Sequence, residues 1–416
     1  MTTLAFAALW IFVFSVPWER IFVLPGVSII PLFTGAAAIG LAGFSALVTG
    51  RIRRWHPVLV AALLYVGWTA CVLMLGGAGP RLPSKFWTWT QLFLMMWMIW
   101  ELAATEKRHR GLLMAYVLGA YVAAFDTLLI FRRQAGALRR FAAGGADPND
   151  LAMILALGVP MAWYLALTTR RPLVRWICRA YLPLCVVCVG LTGSRGGMVV
   201  TTLALLVVPF TMTKLSAGRL ATAIVMLGIG GVLAVVYTPE TLIQRLSTTG
   251  SELEGGRIGG RGKLWVAGLE AFTRHPIIGY GTGGYKQAIF PILGDATQVA
   301  HNSYISVLVE QGSVGFILYM SMFGAVYLSV LRLPLVERRF AFVLMVTLGV
   351  AMLPLTWEDR RAVWFVLPTV AALTRLRLAG MGAVPTRQPA VMPGRVPVAT
   401  RQPPAAGRAE PGQAGV

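Results

Sequence analysis

Long apolar runs, separated by short polar breaks, recur along most of this 416-residue chain. A helix needs about 20 mostly apolar residues to cross the hydrocarbon core of a bilayer, and most of the runs are close to that length. The pattern therefore predicts an all-α integral membrane protein with about twelve transmembrane helices. The predicted spans are residues 3–17, 27–48, 57–76, 86–104, 111–131, 150–168, 180–193, 196–213, 219–237, 301–331, 340–356 and 361–377.

The longest polar interval in this pattern separates the ninth and tenth spans. It covers residues 238–300, where we predict one large loop with short amphipathic helices. The first nine helices then occupy residues 1–237, and the last three occupy residues 301–377. Residues 378–416 are rich in Pro, Ala, Gly and Arg and have no apolar period, which predicts a disordered basic tail.

The distribution of basic residues predicts the orientation of the helices. An even number of spans puts both termini on one side of the membrane. If both termini are cytoplasmic, the short loops on the cytoplasmic side carry more Lys and Arg than the short loops on the outer side. The positive-inside rule therefore favours this orientation. The loop 238–300 then faces outward, together with many other cations. Because cations on a translocated face run against the usual trend, we predict an anionic ligand there.

Composition narrows the class of protein. Hydrophobic residues make up 57% and charged residues 13%, against about a quarter charged in a soluble domain. These values exclude an ordinary cytosolic enzyme, a disordered protein and a coiled coil. The net charge of +21 favours anionic partners such as lipid head groups, phosphates or nucleic acid. The four cysteines are too few for a disulfide framework, and no motif for a metal or a nucleotide is present, so no metal or cofactor is predicted.

The second half of loop 238–300 contains two candidate elements. Residues 261–272 place apolar side chains on one face at helical spacing, which predicts a short amphipathic helix that ends at His275-Pro276. The following stretch, residues 279–285, is rich in glycine. Such a turn brings backbone N–H groups close to a phosphate, or it is a plain flexible loop.

Two further residues at the predicted outer boundary are candidates for chemistry. His301 precedes the tenth span, and an imidazole titrates near neutrality, so it is suited to accept and return a proton. The alternative is an interfacial histidine bonded to a backbone carbonyl. Arg195 lies in a tight break between two apolar runs. A guanidinium at that depth is a functional candidate, unless it reaches out to lipid head groups.

Acidic residues near the membrane boundary complete the set of candidates. Glu358 and Asp359 join the last two spans beside two arginines, which favours mutual neutralisation. The other interpretation is that one of these carboxylates orients a histidine or holds an acceptor hydroxyl. Asp126 lies within the fifth apolar run, where an ionisable group needs a partner.

Four motifs resemble those of a known family. His301-Asn302, followed after nine residues by Gly312-Ser313-Val314-Gly315, resembles the signature of bacterial O-antigen ligases. Arg261-Gly262-Lys263-Leu264-Trp265 resembles the Arg-x-x-Leu-Trp element of the same ligase and polymerase superfamily. Residues 275–281 resemble its His/Asn-Pro-hydrophobic-x-Gly-x-Gly stretch, and Ser194-Arg195-Gly196 resembles its Ser-Arg-Gly element.

This resemblance implies a GT-C-like glycosyltransferase in the bacterial inner membrane, with its active site facing the periplasm. Such a ligase transfers polysaccharide from undecaprenyl diphosphate to lipid A–core, by inverting transfer without a metal. His301 would act as general base, and Arg195 and Arg261 would bind the donor diphosphate. The further candidates for supporting roles are Asn302, Lys263, Glu358, Asp359 and Tyr280.

The implied partners are undecaprenyl-diphosphate-linked O-antigen, lipid A–core and membrane lipids, and not nucleic acid. Four outer arginines are candidates for the acceptor phosphates, with lipid head groups as an equal alternative. An O-antigen polymerase, a protein O-oligosaccharyltransferase and, less favoured, a lipid-linked sugar transporter stay open as alternative functions. The four arginines are Arg132, Arg133, Arg139 and Arg140.

Overall fold

The computed structural model is almost wholly helical. Most of the predicted ninth span 219–237, the loop residues 238–260, the tail 383–416 and Arg139 lie outside the residues that it describes. The described residues are 2–21, 23–24, 27–50, 52–74, 82–134, 140–211, 221, 225, 228, 261–294 and 298–382.

The first half of the chain forms a series of long helices joined by short connections. A single turn of 3-10 helix, Val16–Trp18, extends the first helix, and a second one, Ala143–Gly145, precedes the sixth. The helices are α1 (Thr2–Ser15), α2 (Ile29–Thr49), α3 (Pro57–Met74), α4 (Leu82–Leu102), α5 (Glu106–Gln134), α6 (Pro148–Thr168), α7 (Pro172–Thr192), α8 (Arg195–Leu205) and α9 (Val207–Thr211).

The second half begins with two short helices and continues with three long ones. The predicted amphipathic helix is present and ends directly before His275-Pro276, and a second short helix, whose position the sequence did not give, follows the glycine-rich turn within the same loop. These helices are α10 (Arg261–Arg274), α11 (Tyr285–Leu293), α12 (Ser303–Val330), α13 (Leu335–Ala351) and α14 (Arg361–Gly382).

The expectation of a purely helical protein needs one small correction. Two strands of two residues each, Val23–Leu24 and Val27–Ser28, pair in antiparallel register between α1 and α2. The second predicted span therefore begins with a strand, and its helix starts at Ile29. Val23 and Val27, one on each side of Pro25-Gly26, are β-branched and favour a hairpin over another helical turn at this position.

Seven helices among the described residues are long and apolar enough to cross a membrane. The segments Thr2–Trp18 and Arg195–Thr211 are apolar but shorter, so the predicted number of twelve spans is not confirmed. The seventh helix also starts earlier than predicted, because its first turns carry basic residues that hide its apolar face in a sequence window. The seven helices are Ile29–Thr49, Pro57–Met74, Glu106–Gln134, Pro148–Thr168, Pro172–Thr192, Ser303–Val330 and Arg361–Ala379.

Burial distinguishes central helices from peripheral ones. In the most apolar window of α6, 83% of the residues are buried, and in that of α14 the share is 72%. The corresponding share in α2 is only 28%. A helix that is apolar on all sides and buried belongs to the interior of a bundle, whereas an exposed apolar helix faces lipid. Helix α6 packs against α5, α7, α8 and α13, and therefore forms the centre of the fold.

Candidate functional site

Three helices of the central bundle begin with a capping residue whose side-chain oxygen accepts hydrogen bonds from backbone N–H groups. Asp147 caps α6 and accepts from the backbone N–H groups of Asn149 and Asp150. Ser194 caps α8 and accepts from Gly197 N–H. Asn302 caps α12 in the same way, and its amide oxygen accepts from the backbone N–H groups of Tyr304 and Ile305. The N-termini of these helices can still attract a negative ligand through the positive end of the helix dipole.

Side chains join the starts of α6 and α8 directly. The Ser194 hydroxyl donates to Asn149 Oδ1 at 3.0 Å, and Arg140 Nη2 donates to the same oxygen at 2.8 Å. Arg140 Nε also donates to the carbonyl of Thr192, at 2.8 Å. Arg140 thus holds the tight turn before α8. The first residue of α8 is Arg195, which is half-buried. The sequence predicted an acceptor phosphate site for Arg140, and its contacts in the structure are with the protein itself.

The start of α12 is held by the turn 352–360, which connects α13 to α14. The backbone N–H of His301 donates to the Thr356 hydroxyl at 3.0 Å. The indole of Trp357 in the same turn donates to Asp150 at 3.1 Å, which links the turn to α6. His301 and the start of α6 are therefore fixed by one continuous set of contacts.

The start of α8 contacts this same turn. A Cβ atom placed on Gly196 would lie 3.2 Å from Cγ of Pro354, which is a tight contact, so the start of α8 packs closely on this turn. Arg195 is the preceding residue. The start of α8, where Arg195 lies, and His301, just before the start of α12, therefore both contact the turn 352–360.

His301 has a strained backbone and an unengaged ring. Among the described residues, it is the one non-glycine residue with positive φ, at 46°. Its imidazole is half-buried and makes no hydrogen bond within the described part of the chain, unlike the backbone-bonded histidine that was the alternative expectation. Strained residues of this kind cluster at functional sites.

Arg261 and Asp147 determine the charge around His301. Burial lowers the pKa of His301, the Arg261 guanidinium lowers it further, and Asp147 raises it. Burial also lowers the pKa of Arg261, while Asp147 raises it. Arg261 forms no ion pair within the described ranges, so its guanidinium is available to an anion. An imidazole with a lowered pKa, within electrostatic reach of a guanidinium, is suited to general base catalysis on an anionic substrate.

Asp147 was missed in the sequence, although a signal for it exists. Asp followed by Pro at the start of an apolar run is typical of a helix N-terminus. That signal identifies the cap, but the proximity to Arg261 and His301 arises only from tertiary structure.

The glycine-rich turn is neither a phosphate cradle nor a free loop. The carboxylate of Glu310 accepts from Gly283 N–H at 2.7 Å and from Tyr285 N–H at 3.4 Å, and Lys85 Nζ lies 3.5 Å from the same carboxylate. Gly312 interrupts α12 at this point with φ of 65°, and a Cβ there would lie 2.1 Å from the Ile277 carbonyl oxygen. The turn is therefore docked on α12, with an internal carboxylate in place of an external anion.

The remaining loop candidates have different surroundings. Tyr280 packs its ring edge to face on His275, with the ring centroids 4.5 Å apart. Lys263 is exposed on α10, while Leu264 on the same helix is buried. The α10 helix is anchored near the site because the indole of Trp265 donates to the Ala300 carbonyl at 3.0 Å.

The two acidic residues of the last connection point in different directions. Glu358 is buried, and its Oε1 accepts from the Ser306 hydroxyl at 2.8 Å, on the first turns of α12. Burial raises the pKa of Glu358 to about 8, against the lowering effect of Lys85. Asp359 lines a cavity between α2 and α4. Neither carboxylate bonds to the imidazole of His301 in the part of the chain that the structure describes.

The other arginine candidates lie apart from these contacts. Arg132 and Arg133 are exposed in the last turn of α5. Asp126 on the same helix has the partner that the sequence required, since its Oδ2 accepts from Gly144 N–H at 2.8 Å. Within the described ranges, no three His, Cys, Asp or Glu side chains are grouped to hold a metal ion.

We compared the sequence with family models and with curated proteins. No curated protein matches the chain. Residues 180–320 match the family model described as O-Antigen ligase, and this segment includes Arg195, Arg261 and His301. With the apolar helices, the match indicates a multi-pass membrane protein. It supports the membership of this chain in the O-antigen ligase superfamily.

Proposed function

We propose that this protein is an O-antigen ligase of the bacterial inner membrane. It transfers polysaccharide from undecaprenyl diphosphate to a sugar hydroxyl of lipid A–core on the periplasmic face. The observation that carries the proposal is the half-buried imidazole of His301 within electrostatic reach of the guanidinium of Arg261, two groups that bond to no side chain among the described residues. Both residues lie in the segment that matches the O-antigen ligase family.

The proposed reaction is a single displacement at the anomeric carbon. The acceptor oxygen attacks that carbon while its proton passes to the imidazole of His301. The bond between the anomeric carbon and the phosphate oxygen breaks, and undecaprenyl diphosphate leaves with the electron pair. The displacement inverts the anomeric centre, and the imidazolium then releases its proton to water.

The leaving diphosphate gains charge as its bond breaks. Arg261 and Arg195 would bind this charge, since a guanidinium fits phosphate oxygens in a bidentate manner. The N-termini of α6, α8 and α12 add a positive potential at the same place. Burial and, to a smaller extent, the positive charge of Arg261 lower the pKa of His301, which favours the neutral imidazole. Binding of the donor diphosphate would offset that charge and make the imidazole a stronger base.

A transfer assay with purified components tests the proposal. The full chain in detergent or nanodiscs receives lipid-linked donor and lipid A–core, with a second lipid-linked chain or an acceptor protein in parallel samples. We expect transfer to lipid A–core, and a loss of about 10²–10⁴ in rate for His301→Gln. Arg261→Ala is expected to abolish transfer, whereas Arg274→Ala on the same helix retains it, since Arg274 pairs with Glu270 on an exposed face.

Each result of this assay has a defined meaning. Full activity of His301→Gln, in protein that elutes and melts like wild type, contradicts the assignment of the base. Transfer only to the second lipid-linked chain indicates a polymerase, and transfer only to the protein indicates an oligosaccharyltransferase. Movement of the donor across a vesicle membrane without its consumption indicates a transporter.

A further inference from the structure

A cavity of about 540 Å³ lies between α1, α2 and α4. Its size falls within the range of about 300–1,000 Å³ that is usual for small-molecule sites. Leu32, Ala36 and Ile39 of α2 form one wall at helical spacing. Leu32 and Ala36 are exposed, so the cavity opens through this wall toward lipid.

The facing wall changes from polar to apolar along α4. Thr88 and Gln91 line the cavity near the start of the helix, and Met95 and Met98 line it further along. Thr88 and Met98 are ten residues apart, which corresponds to about 15 Å along a helix. That depth is about half of a hydrocarbon core of roughly 30 Å, the depth of one leaflet.

Charged side chains surround the polar end. Arg361 pairs with Glu19, and Arg360 pairs with Asp150 at 2.8 Å, so these two guanidinium groups are neutralised within the protein. Two more charged residues line the same end. Arg20 is exposed, Asp359 is half-buried, and neither forms an ion pair among the described residues. The polar end therefore offers one guanidinium and one carboxylate to a ligand.

We infer that this cavity binds a phosphorylated glycolipid from the outer leaflet, with its chain between α2 and α4 and its phosphate at Arg20. The apolar walls match a lipid chain, and the guanidinium matches phosphate oxygens. The carboxylate of Asp359 accepts from hydroxyl groups, which the sugar of a glycolipid supplies. Such a ligand satisfies the charges of both Arg20 and Asp359, whereas a phosphate alone would leave Asp359 facing an anion.

The inference rests on the proposed function for the choice of lipids, since donor and acceptor share this chemistry. Arg360 lines the polar end and also contacts Asp150, which accepts from Trp357. A head group bound there lies next to the turn that holds His301. Separate titrations with the donor lipid and the acceptor lipid distinguish the two.

Binding is measured without any requirement for transfer. The full chain is placed in phosphatidylcholine nanodiscs and titrated with labelled lipid A–core or with labelled undecaprenyl-diphosphate polysaccharide. Ala36→Trp fills the cavity, and Ala37→Trp is the matched control, because Ala37 is the next residue of the same helix and does not line the cavity. We expect affinity for one of the two lipids to fall at least about tenfold in Ala36→Trp and to be unchanged in Ala37→Trp.

A second variant tests the polar end. Arg20→Gln is expected to weaken binding of the phosphorylated lipid about tenfold, as the loss of a charge-assisted hydrogen bond implies. It should leave binding of the dephosphorylated lipid unchanged. Arg54→Gln, an exposed arginine outside the cavity, serves as the control.

Several results would overturn the inference. The first is that Ala36→Trp binds both lipids with wild-type affinity. The second is that Arg20→Gln loses the same factor of affinity for the phosphorylated and the dephosphorylated lipid. The third is that phosphatidylglycerol competes for the site as well as the unlabelled glycolipid does. If Ala36→Trp loses binding while the wild type shows no transfer, the cavity assignment stands and the proposed function fails. If the wild type transfers and Ala36→Trp binds normally, only the cavity assignment fails.

Discussion

Arg360 and Asp150 form an ion pair with 2.8 Å between Nη2 and Oδ2, although 210 residues separate them in the sequence. The pair joins the turn 352–360 to the start of the central helix α6. The indole of Trp357 donates to the other oxygen of the same carboxylate at 3.1 Å. Since Thr356 of this turn holds the backbone of His301, the position of His301 depends on Asp150 and its two donors.

Loss of Arg360 is therefore expected to act on both stability and activity. Arg360→Ala leaves the carboxylate of Asp150, which is 18% exposed, with one donor. The expected loss of unfolding free energy is about 2 kcal/mol, as for a hydrogen bond to a charged group. Thermal unfolding in detergent and the rate of transfer measure the two effects. Arg338→Ala, at an exposed arginine on α13, is the control. An unchanged melting temperature in Arg360→Ala would contradict this role.

The charge on Asp147 is expected to set the lower pH limit of activity. Asp147 raises the pKa of His301, so Asp147→Asn should lower it further. Asn is an equally good N-cap, so the helix start is retained. Because the base must be neutral, activity falls as pH drops through the pKa of His301. The acid limb of the pH–rate profile should therefore move to lower pH in Asp147→Asn. A shift to higher pH, or none, contradicts the electrostatic link.

Part of this site was predictable from sequence, and the reason lies in short-range motifs. Arg195 and His301 stand out because polar residues at a membrane boundary are few, and Arg261 stands out because it begins a motif that resembles one of the ligase and polymerase superfamily. Helix α10 and its end at His275-Pro276 follow from local periodicity and proline geometry. The contacts between these residues through the turn 352–360 depend on which helices are neighbours, and a single sequence does not contain that information.

The buried state of Glu358 is expected to make stability depend on pH. Burial raises its pKa from 4.5 to about 8, so the folded protein binds this proton more tightly than the unfolded chain. Its contribution to stability is fully present below about pH 4.5 and is lost as pH rises through about 8. Glu358→Gln is permanently neutral and keeps an acceptor for the Ser306 hydroxyl.

Melting temperatures on both sides of pH 8 test this expectation. The wild type should lose more stability than Glu358→Gln as pH rises through that value. Glu270→Gln, at an exposed position of α10, is the matched control and should follow the wild type. The same decline in Glu358→Gln as in the wild type would show that another group titrates.

The interruption of α12 at Gly312 is expected to tolerate no side chain. Its φ is 65°, and a Cβ would lie 2.1 Å from the Ile277 carbonyl oxygen. Gly312→Ala should cost about 3 kcal/mol or more, from backbone strain and the clash together. A Cβ at Gly324 on the same helix would meet no described atom within 4 Å, so Gly324→Ala should be neutral or stabilising by up to ~1 kcal/mol. Equal melting temperatures for the two variants would contradict the docking of the loop on α12.

Other features were outside the reach of sequence patterns for physical reasons. Glu310 lies within a long apolar run, but its partner is the backbone of a turn more than twenty residues earlier. The predicted role of the glycine-rich turn failed because glycine content shows that backbone N–H groups are accessible, not what they bind. Likewise, Glu358 and Asp359 are adjacent in sequence, and their opposite surroundings follow from the direction of one turn.

The carboxylate of Glu310 has a consequence for the design of inhibitors. A compound that imitates a diphosphate would meet the amides of Gly283 and Tyr285 already engaged by an anion that the protein itself supplies. Because Glu310 is tethered to the same chain, it competes at a high effective concentration and cannot be diluted away. Medicinal chemistry against this protein is better directed to the guanidinium of Arg261, which forms no ion pair with a carboxylate of the described residues, although Asp147 is within electrostatic reach.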